Sequence, residues 1–193
     1  MLIFGHLGTT LGTAKLLEGI SFEVPIDYRL VMLGAMLPDI IDKPLVLMTT
    51  YKPVGSARLA AHSLIFIIAL FLAGHICSLL FNKRGLLIIA YGSFAHIVED
   101  MIWRDPKVFF WPYYNWLIGR IKVSRPVISS GYLESRVKII TASMSKIDLL
   151  QILKKPSVFI PEIIGGIILL YFIAALIANK KVGCFLKTGR LKY

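Results

Sequence analysis

Acidic residues and cysteines are scarce in this chain. It carries 11 Asp and Glu against 22 Lys and Arg, a formal charge of +11 over 193 residues. Its two cysteines, Cys77 in an apolar run and Cys184 in a basic tail, form no Cys-x-x-Cys pair. A disulfide framework and a cysteine-based metal site are therefore not expected. No stretch shows sustained period-two alternation bounded by hairpin turns, which argues against a sheet. The basic charge comes with no recognisable nucleic-acid motif, and cationic loops beside apolar helices are the usual mark of a membrane surface. Membrane lipid is the expected partner, and nucleic acid is not. The amino terminus lacks a cationic leader, because Lys15 is its first basic residue, so His6 is expected to stay in the mature protein.

Apolar residues are what the chain has in abundance, at 56%. The expectation is an all-α, polytopic membrane domain over residues 1–178, placed in the cell membrane, followed by a basic tail over 179–193. The twenty residues His62 to Phe81 are long enough to cross a ~30 Å hydrocarbon core at ~1.5 Å rise per residue. Asn82, Lys83, Arg84 and Gly85 interrupt the pattern and residues 86–103 resume it, which reads as a helical hairpin. A third span, 158–178, ends at Lys180 and Lys181 and reads as an anchor. Tyr28 to Leu37 is apolar for only ten residues before Pro38 and Asp39 break it, as in half a span or a re-entrant element. Residues 104–157 are expected at the interface, with an amphipathic helix over 134–153. The short turn and tail hold seven Lys and Arg, which favours a cytoplasmic tail.

Ionisable residues inside such a chain need a partner, a wet cavity or a metal, because desolvating them alone is costly. His6, Asp39, His62, His96 and Asp100 are the candidates. On a hairpin turning near residue 83, His62 lies ~30 Å from the turn, and His96 and Asp100 lie ~20 and ~25 Å along the returning helix, so all three gather toward one end. His96 and Asp100, four residues apart, project from neighbouring turns of one helix face. That spacing suits two ligands of one metal, or a neutral histidine bonded to a carboxylate. His75, thirteen residues after His62 and on another face, reads as packing. Asp42 and Glu99 are the carboxylates available for a second ion, for accepting a proton from water, or for orienting a histidine.

These residues together resemble the membrane-bound metal-dependent hydrolase family of prokaryotes and, more remotely, zinc-dependent phospholipase C. The resemblance covers roughly residues 5–112 and rests on an amino-terminal histidine, Leu37-Pro38-Asp39-Ile40, His62-Ser63, and Ser93-Phe94-Ala95-His96 with Asp100. It implies that Asp39, His62, His96 and Asp100 hold a principal metal, with His6 nearby as a ligand of another metal or of substrate. The chain has no histidine after His96, where the phospholipases complete a multi-zinc cluster, so a three-metal site is not expected. Two nitrogen and two carboxylate ligands suit zinc, with manganese or iron as alternatives. The activity implied is hydrolysis of a phosphoester in a lipid or other amphipathic molecule. The non-enzymatic alternatives are a structural metal or partner site and a small ion or proton carrier.

Overall fold

The computed structural model describes residues 2–20, 26–48, 58, 60–114 and 156–190. Their regular elements are all helical, with no strand among them: α1 (Ile3–Ile20), α2 (Tyr28–Met48), α3 (Leu64–Phe81), α4 (Gly85–Glu99), a 3-10 turn (Ile102–Arg104), α5 (Pro106–Phe109), α6 (Pro156–Ala178) and α7 (Val182–Thr188). Leu64–Phe81 and Val158–Ala178 are long and apolar enough to cross a membrane. The expected interfacial helix over 134–153 lies outside the described residues.

Packing follows a simple order. α4 lies between α2 and α3, and α1 lies between α2 and α6. Two of these contacts bring backbones together. A Cβ on Gly34 would collide with the Ile89 carbonyl and one on Gly92 with the Val31 carbonyl, so α2 and α4 meet where neither has a side chain. Gly8 of α1 and Gly165 of α6 meet in the same way. Such small-residue contacts let helices gain dispersion energy where lipid removes the hydrophobic drive for association. Leu11, Ala14, Tyr28, Val31, Phe172 and Leu176 form the buried core between α1, α2 and α6.

Two boundaries differ from the sequence expectation. His62 does not begin the first span: Ser63 caps α3, its Oγ accepting from Phe66 N at 3.3 Å, and His62 sits in the preceding turn. α2 does not end at Pro38 but runs through both Pro38 and Pro44. Proline in a helix interior frees the carbonyl four residues earlier. That carbonyl, of Gly34, accepts from Ser93 Oγ at 3.0 Å, and the next one, of Ala35, accepts from His96 Nδ1 at 2.6 Å. α4 thus supplies a partner for the carbonyl that Pro38 leaves free.

The hairpin turns at Asn82, which caps α3 in the left-handed conformation at φ 52°. At the same end the tail folds back, with Tyr28 N donating to Gly189 O at 2.8 Å and Arg29 Nη1 to Leu186 O at 2.8 Å. Asp27 is held below its ordinary value: burial opposes ionisation, but the bonds from Arg29 outweigh it.

Candidate metal centre

All five predicted ligands meet at the other end of the bundle. His6 comes from the first turns of α1, Asp39 from α2 just after the proline, His62 from the turn before α3, His96 from the last turn of α4, and Asp100 from the residue that caps it. The His6 and His96 rings stack with centroids 4.0 Å apart, and the His62 ring meets His96 edge-on at 5.3 Å. The three histidines are at most 2% exposed.

Each imidazole is tied at Nδ1. His62 Nδ1 donates to Asp42 Oδ2 at 2.7 Å, and His96 Nδ1 to the Ala35 carbonyl at 2.6 Å. His6 Nδ1 donates to Glu99 Oε2 at 2.8 Å. A carboxylate or carbonyl can only accept, so Nδ1 carries the proton and, in the neutral ring, Nε2 presents a lone pair. These Nε2 atoms face the two aspartates: His6 to Asp100 Oδ1 at 3.4 Å, His62 to Asp39 Oδ1 at 3.7 Å and His96 to Asp100 Oδ2 at 3.8 Å. The Nε2 atoms of His62 and His96 are buried and have no hydrogen-bond partner.

A divalent ion fits that arrangement. Ligands held ~2.0–2.2 Å from one tetrahedral ion lie ~3.3–3.5 Å apart, so these separations are near what two ligands of a shared ion show and, for His62 and His96, too long for direct hydrogen bonds. Two trios have ligand atoms within 4.8 Å of one another: His6, His96 and Asp100; and Asp39, His62 and His96. They share His96, whose Nε2 has one lone pair and can serve one ion only.

The surroundings are equally organised. Asp42 is fully buried and accepts from Ala61 N at 2.9 Å and His62 N at 3.2 Å besides the ring. Glu99 Oε1 accepts from Thr9 Oγ1 at 2.6 Å and Thr10 Oγ1 at 3.1 Å. On the outer side, Lys43 Nζ donates to Asp39 Oδ2 at 2.7 Å and Arg58 Nη2 donates to Asp100 Oδ2. Sequence reading missed Thr9, Thr10 and Lys43. The signal was there, since Thr9 and Thr10 follow His6 by three and four residues, and Lys43 follows Asp39 by four. His75 lies away from the cluster on the exposed face of α3.

An all-helical membrane protein with a polar cluster at one end of its bundle is the class that fold and site define. The chain belongs to the YdjM inner membrane protein family, whose model matches residues 1–182. No curated protein and no solved structure matches it. The family description gives a location, the inner membrane, and names no activity.

Proposed function

We propose that this protein is a multi-pass, membrane-embedded, metal-dependent hydrolase, a phosphoesterase acting on a lipid or other amphipathic substrate. One observation carries the reading: two buried imidazole Nε2 atoms have no hydrogen-bond partner while the opposite nitrogen of each ring is fixed by an acceptor. A buried nitrogen without a partner costs about 1–3 kcal/mol, which a bound ion would recover. Rings tied through the second nitrogen are the usual supporting shell of a metal site.

In this reading Asp39, His62 and His96, one trio, hold the principal ion, with Asp100 drawn in from the trio it forms with His96 and His6. Zinc suits this nitrogen and carboxylate set best, and manganese or iron are the alternatives. A divalent ion there would supply Lewis acidity and make water nucleophilic near neutral pH. Of the roles open to Asp42 and Glu99, orienting a histidine is the one their contacts favour, because their oxygens are occupied by ring and backbone or hydroxyl donors. Asp39 keeps 20% of its side chain exposed; its Oδ2 is bonded to Lys43, and Oδ1, facing His62, is the oxygen offered to the ion. That partial exposure favours a site open to substrate over a closed structural one.

The test is hydrolysis of phosphodiester and phospholipid substrates by detergent-purified protein, before and after chelation and zinc return. Activity that disappears on chelation and returns with the ion is expected. Equal activity in a metal-free preparation would sink the proposal.

A further inference from the structure

We propose that Lys43 and Arg58 form a two-cation clamp at the mouth of this centre, selecting an anionic reacting group, a phosphate ester over a neutral carboxylic ester. The inference rests on the metal reading and adds the charge of the substrate to it.

The histidines are sealed, but the two cations are not. The side chains of Lys43 and Arg58 are 58% and 36% exposed, so the polar cluster reaches solvent through its positive groups. Each cation also bonds a different aspartate: Lys43 bonds Asp39 Oδ2, not the oxygen that faces His62, and Arg58 bonds Asp100 Oδ2, which also faces His96 Nε2. They therefore flank the ligand set on the sides supplied by α2 and α4.

Charge decides what these cations do once the centre is filled. Among the described residues, Asp39 and Asp100 are the carboxylates that Lys43 and Arg58 meet on this side of the cluster. A divalent ion would draw on Asp100 Oδ2, the oxygen that Arg58 bonds and His96 Nε2 faces, and on Asp39 Oδ1, beside the Oδ2 that Lys43 bonds. The cations are then released from part of their attraction and can turn to an oxyanion. Arg58 spends only Nη2 on Asp100 and keeps further donors in its planar fork, a geometry that matches two oxygens of a phosphate. Lys43 adds a point charge from the other flank. A neutral ester would gain little from either.

Simple neutralisation is the competing role, and it makes the opposite prediction. Cations that only balanced the ligand carboxylates would compete with the ion, so their removal would tighten metal binding and leave anion affinity alone.

Cobalt-loaded, detergent-purified full-length protein, titrated with inorganic phosphate and read through the visible cobalt spectrum, separates the two. Lys43→Met and Arg58→Met are expected to keep the wild-type cobalt equivalents and each to weaken phosphate about tenfold or more, with Arg58→Lys in between. Unchanged phosphate affinity in both variants, or no spectral response in the wild type, would overturn the clamp and leave the metal reading standing. A wild type that takes up no cobalt would overturn both.

Discussion

The two ends of this bundle hold similar polar residues and treat them differently. At the hairpin-turn end, Tyr28 is fully buried, its hydroxyl donates to Glu18 at 2.9 Å, and Glu18 is bonded to Lys15. Lys15 also lies over the Tyr28 ring, 5.8 Å from its centroid. At the other end three histidines are packed as tightly, yet the Nε2 atoms of two of them have no partner. A polar group buried with its bonds closed is part of the structure, whereas one buried with a lone pair facing carboxylates is prepared for something else. The contrast is sharper because α1, α2 and α4 contribute to both ends.

The largest effect should come from breaking the open end at a ligand. His96→Ala is expected to lower metal-dependent hydrolysis by at least about 10³, since losing the ion removes more than one stabilising donor, each worth ~10²–10³. Steady-state assays at saturating zinc check this. Asp42→Asn is the next step down. It leaves the ligands in place but weakens the hold on the His62 ring, and supporting-shell changes of this kind cost ~10–100-fold in metal affinity. A competition titration with a chelator reads it directly, and wild-type affinity would remove Asp42 from the orienting role.

Glycine contacts between the ends sharpen the comparison in a different way. Gly34→Ala forces a methyl into the Ile89 carbonyl and should cost ~1–3 kcal/mol, with secondary damage to the site because Gly34 O and Ala35 O hold Ser93 and His96. Gly166→Ala, with open space around it, should be close to neutral. Thermal unfolding in detergent compares the pair. At the closed end, Tyr28→Phe removes one hydrogen bond and should cost ~1 kcal/mol while leaving metal affinity unchanged.

The smallest effect concerns pH. Asp27 is ionised more readily in the folded chain than its ordinary value near 3.8, so its contribution to stability is present above that value and is lost as pH falls through the lower, folded one. The wild type should lose a small advantage over Asp27→Asn across that acidic range, in melting temperatures measured side by side.

Helical rise and spacing were enough to bring His62, His96 and Asp100 to one end, because the turn at Asn82 and the length of α3 fix the depth of each. Residues four apart on α4 needed no tertiary knowledge. The path of α2 was a different matter. Pro38 reads as a break from local rules, yet α2 runs through it, with Ser93 of α4 bonding the carbonyl it leaves free. α1 is a related case: the place of Gly8 in it shows only against Gly165 of α6. Which carboxylates would ligate and which would orient was also hidden, since Asp39 and Asp42 are three residues apart on one helix and their roles separate only when His62 folds back onto Asp42.

Metal content tests the contrast most directly. Elemental analysis of detergent-purified wild type, Tyr28→Phe and His62→Ala should find about one equivalent of a transition metal in the first two and none in the third. The same metal content in all three, or none in any after reconstitution with zinc, would contradict the account and leave the open end as a polar packing network.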